Sequence, residues 1–117
     1  MKIREIQEIL NASLICGEEL LDKEVNSACG SDLMSDVLAY VKDQAVLMTG
    51  LVNSQVIRTA EMMDMVCVVF VRSKRPTLEM IELAEESGIA ILASPCRLFE
   101  ACGLLYSRGL GSSEEEH

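Results

Sequence analysis

Three short apolar runs, each leading into a stretch with helical periodicity, recur at nearly constant spacing in the second half of this chain. Val46-Leu47-Met48-Thr49-Gly50, Val68-Val69-Phe70-Val71-Arg72 and Ile89-Ala90-Ile91-Leu92-Ala93 begin about 22 residues apart. A strand, a turn and an amphipathic helix in steady alternation fold as a parallel sheet with helical crossovers. Few architectures satisfy such a repeat, and it also singles out one edge. Ligands of open α/β sheets bind beyond the carboxyl ends of the strands. The loops Gly50–Ser54, Arg72–Thr77 and Ser94–Cys96 are therefore where a binding site is expected.

The first half reads as α-β-β-α. Ile3, Ile6, Ile9 and Leu10 fall at helical spacing among charged residues, giving an amphipathic helix over 2–11. Ala12–Cys16 is a short strand ended by Gly17, Glu18–Asp22 has no regular pattern, and Val25–Cys29 is a second strand broken by Gly30. Ser31 is placed to cap a helix with Asp32 in its first turn, and Leu33, Met34, Val37, Leu38 and Val41 form its apolar stripe. The repeating part then has core strands at Ala45–Thr49, Met65–Val71 and Ile89–Ala93. Its helices carry Val56, Ile57, Ala60 and Met63; then Met80, Ile81 and Ala84; then Leu98, Phe99, Cys102 and Leu105. Asn53 or Ser54 caps the first of these. Thr77, after Pro76, is either the cap or the first turn of the second, and Gly88 ends it. The expected fold is α/β: a single domain over 1–110 with a mainly parallel sheet and helical crossovers. Three C-terminal β-α units follow an α-β-β-α portion. Residues 111–117, with Glu114–Glu116, read as a flexible acidic tail.

Half of the 117 residues are apolar, but there are only two Phe, two Tyr and no Trp, so the core is aliphatic. The net charge of −9 argues against nucleic acid or an anionic membrane as the partner, since both need clustered cations. No apolar run approaches the roughly 20 residues of a membrane span, and the start lacks the apolar segment of a signal peptide. A cytoplasmic location is expected. The five Cys are odd in number and include no C-x-x-C pair, which favours free, buried thiols over disulfides or a knuckle.

Absences narrow the chemistry. The only His is His117, so a His-based triad or His metal site is not expected. Neither a phosphate-binding G-x-x-x-x-G-K-[ST] nor a G-x-G-x-x-G after a strand occurs, and no cofactor, catalytic group or metal site is assigned. Arg72-Ser73-Lys74-Arg75 is the one cationic cluster, holding three of ten basic residues between a core strand and a helix N-terminus. Free backbone amides, a helix dipole and nearby cations together suit an anion. The same loop is also what a solvated turn looks like when its cations pair with Glu on neighbouring helices. Thr49, Gly50, Asn53 and Ser54 offer a glycine turn and neutral hydrogen-bonding groups at the preceding strand end, which equally serve turn and cap. Ser94 completes that edge. The expected ligand-binding set is thus Thr49, Gly50, Asn53, Ser54, Arg72, Lys74, Arg75 and Ser94. Ser31, Asp32 and Asp36 read as a capping, solvent-facing acidic pole.

At these residues the chain resembles a known family. Asp32-Leu-Met-Ser-Asp-Val-Leu-Ala39, Val46-Leu-Met-Thr-Gly-Leu-Val-Asn53, Val56-Ile-Arg-Thr-Ala60, Phe70-Val-Arg-Ser-Lys-Arg-Pro76 and Phe99-Glu-Ala-Cys-Gly103 resemble the DRTGG domain family over about Met1 to Leu110. The resemblance is strongest to stand-alone members in anaerobic bacteria, some near iron-only hydrogenase genes. Related domains lie beside phosphotransacetylase catalytic domains and between CBS domains of regulated pyrophosphatases, and a similar fold begins HPr kinase. The namesake letters are not intact: Leu51-Val52 and Arg72-Ser73-Lys74 stand where Asp-Arg and Thr-Gly-Gly would be, leaving Thr49 and Gly50 in common. The resemblance implies a non-catalytic regulatory or interaction module that forms a homodimer. With the cationic loop, it suggests a sensor of a small anionic ligand, a nucleotide or phosphorylated metabolite. An adaptor for a redox enzyme such as a hydrogenase, acting through a protein partner, is the second reading. A Cys-dependent enzyme or metal carrier using Cys96 and Cys102 with Cys29 or Cys67 is the third.

Overall fold

The computed structural model describes residues 1–40 and 44–111; the expected end of the second helix near Val41 and residues 112–117 of the expected acidic tail lie outside the described residues. Within them the order is α1 (Ile3–Ile9), β1 (Ser13–Cys16), a 3-10 turn (Glu18–Leu20), β2 (Ser27–Gly30), α2 (Met34–Tyr40), β3 (Ala45–Thr49), α3 (Ser54–Met62), β4 (Cys67–Phe70), α4 (Leu78–Ser87), β5 (Ala90–Ala93) and α5 (Leu98–Ser107). The expected α-β-β-α portion and three β-α units are therefore both present. β3, β4 and β5 start at 45, 67 and 90.

The five strands lie in the order β1-β5-β4-β3-β2. β2, β3, β4 and β5 are mutually parallel, and β1 closes one edge antiparallel to β5. Side chains alternate along each central strand, so Val46, Met48, Cys67, Val69, Ala90 and Leu92 enter one core layer, with Ile3 and Ile6 of α1, its C-cap Leu10, and Ala101 and Leu105 of α5. Ala45, Leu47, Val68, Phe70 and Ile91 enter the other, with Met34 and Val37 of α2, Val56, Ile57 and Ala60 of α3, and Met80 and Ala84 of α4. A strand covered by helices on both faces has no solvent-facing side, which is why these runs are nearly all apolar rather than alternating, Thr49 at the end of β3 being the polar exception. Among the described residues every buried side-chain nitrogen and oxygen has a hydrogen-bond partner.

Two helices differ from expectation. α2 starts at Met34, not next to Ser31. The Ser31 hydroxyl accepts from the Leu33 N–H at 3.0 Å, making a short turn of its own and leaving Asp32 outside the helix. Leu33, ahead of the helix, and Leu38, on it, are exposed, while Met34 and Val37 are buried. On α5, Phe99 points into solvent with 92% of its surface exposed. The stripe that faces the sheet is Leu98, Ala101, Cys102 and Leu105, and Phe99 lies about 100° round the helix from Leu98. α4 behaves as read. Thr77 is its cap, accepting from Met80 N–H at 3.2 Å, Gly88 closes it at φ 73°, and its four Glu face outward.

Candidate functional site

Because β2 to β5 run the same way, the turns after all four open on one edge, and hydrogen bonds tie them together. Asp32, just past β2, reaches across to the turn after β3. Its Oδ1 accepts from the Gly50 N–H at 2.7 Å and from the Thr49 hydroxyl at 2.9 Å. Thr49 Oγ1 in turn accepts from the Leu51 N–H at 3.1 Å. The turn after β4 is bonded to the turn after β5, with Arg72 N–H to Cys96 O and Ser73 N–H to Ser94 O, both at 2.8 Å. Ser94 Oγ donates to Leu10 O at 2.7 Å and accepts from Cys96 N–H at 3.1 Å, pinning that turn to the end of α1.

Arg72 links the two halves of this frame. A Cβ on Gly50 would overlap Arg72 Nη2 and lie 2.9 Å from Cζ, so the guanidinium lies against the bare Gly50 backbone. Gly50 thus answers a close approach by another residue. Arg72 and Ser73 both have left-handed backbones, at φ 58° and 57°. For non-glycine residues that conformation costs of order 1–2 kcal/mol each, and the two N–H hydrogen bonds to the carbonyls of the next turn hold it in place. Strain of this kind concentrates where a surface must be shaped for binding.

The expected site residues therefore divide. Arg72, Lys74, Arg75 and Asn53 are exposed and Ser54 is half-buried at the start of α3, whose cap residue Asn53 makes no side-chain capping bond. Thr49 and Ser94 are fully buried with their hydroxyls committed to the frame. The amides of Arg72, Ser73 and Lys74 are taken by Cys96, Ser94 and Val71 carbonyls rather than free, so an anion on this loop would meet side chains. Ion pairs among the described residues join the Met1 amino group to Glu24 and Arg4 to Asp22, and none engages Arg72, Lys74 or Arg75.

Asp32 is the residue that sequence reasoning misplaced. The Gly50 N–H, then the Thr49 hydroxyl and the Arg72 and Lys74 charges, hold its carboxyl below the usual carboxylate range against some desolvation. Its partners lie 17 and 18 residues away, and nothing in the local pattern announces them.

The thiols form no comparable constellation. Burial raises Cys16, Cys67 and Cys102, and raises Cys29 to about 11, so these thiols stay protonated and weakly nucleophilic at neutral pH. Among the described residues all five are free, and no group of three or more His, Cys, Asp or Glu could hold a metal ion. Nor is any helix there long and apolar enough to cross a membrane.

No curated protein matches this chain in sequence. A solved structure similar to it holds the CBS and DRTGG domains of the regulatory region of Clostridium perfringens pyrophosphatase, complexed with an activator, diadenosine tetraphosphate. The TM-score is 0.71 at 14% identity, over 97% of this chain and 51% of that one, so the likeness is of fold and this chain spans about half of its neighbour. The family model of the DRTGG domain matches residues 5–106, from within α1 to within α5, and the chain belongs to the DRTGG domain family.

Proposed function

We propose that this chain is a non-catalytic regulatory domain that forms a homodimer and senses a small anionic ligand, a nucleotide or phosphorylated metabolite, at the carboxyl edge of its sheet. The observation that carries the reading is the Arg72–Arg75 turn: exposed cations outside the close ion pairs among the described residues, Arg72 and Lys74 facing the Asp32 carboxylate at longer range, on a backbone held in place by two cross-turn hydrogen bonds, in a chain of net charge −9. Arg72, Lys74 and Arg75 would meet the phosphate groups, and Asn53 and Ser54 the polar remainder. Thr49, Gly50 and Ser94 would hold the turns in register. The regulatory region of the pyrophosphatase was solved with a nucleotide activator, which makes nucleotides the first ligands to try. Five unpaired thiols support a reducing compartment, the cytoplasm.

Thermal denaturation against a panel of nucleotides, diadenosine tetraphosphate among them, tests the proposal. A ligand at a hundred times its Kd stabilises the folded state by about 2.7 kcal/mol, a rise of several degrees for a domain of this size. Arg72→Ala is expected to weaken binding at least about tenfold, the value of one charge-assisted contact. A panel that leaves the melting temperature unmoved at millimolar concentration, or an Arg72→Ala protein that responds like the native one, overturns it.

A further inference from the structure

We infer that the exposed face of α5, with the groove beside it, is the surface on which a second copy of this chain docks. The inference rests on the dimer half of the proposed function and supplies the face. Phe99 and Tyr106 lie seven residues apart on one side of α5 and are 92% and 74% exposed. Between α5 and the edge strand β2 runs an apolar groove of about 310 Å³, floored by Ala28, Gly30, Met48 and Leu110. The helix can lie so close to β2 because Gly30 has no side chain; a Cβ there would overlap Cys102 Sγ. Space is open around Gly103, where nothing comes within 4 Å of a would-be Cβ.

One patch thus carries both apolar knobs and an apolar recess. A two-fold axis makes a surface meet itself, so a patch with both halves of the fit is self-complementary. Charge selects the same occupant. Two copies at −9 repel through most of their surface, and α4 alone exposes Glu79, Glu82, Glu85 and Glu86. α5 has a single acid, Glu100 in its first turn, with Arg97 and Arg108 as its cap residues. If two α5 helices cross antiparallel about a point between Cys102 and Gly103, Phe99 of each copy falls beside Tyr106 of the other. Glu100 then falls within about one turn of Arg108 of the other copy. A ten-residue helix is only about 15 Å long, short of the roughly 800 Å² a side of a standard interface. The groove extends the apolar patch beyond the helix, over Ala28, Gly30, Met48 and Leu110.

Sedimentation equilibrium on the full chain tests this. The native protein is expected at twice 12.9 kDa in the tens of micromolar, and Phe99→Asp/Tyr106→Asp at 12.9 kDa with an unchanged circular dichroism spectrum. Should that variant fail to fold, Glu100→Arg is the second probe. It is expected to weaken the dimer at least tenfold, and Glu100→Arg/Arg108→Glu to restore it. A native protein that stays monomeric, with or without an apolar ligand in the groove, overturns both this face and the dimer reading. A dimer that survives Phe99→Asp/Tyr106→Asp and ignores the charge exchange overturns the face alone.

Discussion

Gly17→Ala is expected to destabilise the domain by about 3 kcal/mol, lowering its melting temperature by roughly 10 °C or more. Gly17 joins β1 to the 3-10 turn at φ 95°, where an L side chain is strained in any surroundings. Its surroundings add a second cost. A Cβ would lie 2.7 Å from Ala90 Cα and 2.8 Å from Ala90 Cβ, just past the Cys16–Ile91 end of the β1–β5 pairing. Ala90 is paired with Cys67 of β4, its N–H bonded to Val66 O, and cannot yield as a flexible side-chain tip would. Gly88→Ala is the control. Gly88 has φ 73° with nothing within 4 Å, so only the strain remains, about 1 kcal/mol. Melting curves of the two variants, read side by side, check the comparison; equal losses would show that the Ala90 contact contributes nothing.

Asp32→Ala is the second large effect, and it acts on the site. Removing the carboxylate strips the acceptor from the Gly50 N–H and the Thr49 hydroxyl, which is fully buried. An unmet group of this kind costs about 1–3 kcal/mol. Asp32→Asn keeps an acceptor for the Gly50 amide and is expected to lose less. The pH dependence carries the sign of a depressed carboxyl. The folded protein holds Asp32 ionised more strongly than the unfolded chain does. Its contribution is therefore fully present above the ordinary carboxylate value of about 4 and fades as the pH falls through the lower, folded value. Urea denaturation of native and Asp32→Asn proteins should show a gap at pH 7 that narrows as the pH is lowered below the ordinary carboxylate value of about 4. A gap independent of pH would mean that Asp32 contributes shape rather than charge.

The central strands were readable because burial on both faces leaves a short continuous apolar run bounded by turn residues. Ala45–Thr49 is β3 residue for residue. β4 is shorter than the apolar run Met65–Val71, since Met65, Val66 and Val71 are buried core residues beyond the ends of the strand. The α5 face was not readable, because 98–106 carries two overlapping apolar stripes. Leu98, Cys102 and Leu105 make one, Phe99, Cys102 and Tyr106 the other, and only the packed sheet decides which turns inward. At the site, the three loops and the cations on them were legible from strand ends and charge. What joins the loops was not. Asp32, the Arg72–Gly50 approach and the left-handed pair Arg72-Ser73 all depend on residues distant in sequence. Gly50 looked like a turn residue, and its real constraint is the guanidinium lying against it.

The central claim, an anion-sensing edge built on the turns after β3 and β4, is tested most directly by amide chemical-shift mapping during a titration with diadenosine tetraphosphate or a simpler nucleotide. The account predicts saturable shifts concentrated on Gly50, Asn53, Ser54, Arg72 and Lys74, and their loss in Arg72→Ala. Shifts that saturate instead along Gly30, Cys102 and Gly103 of the α5 groove, or none with any nucleotide at millimolar concentration, would contradict it.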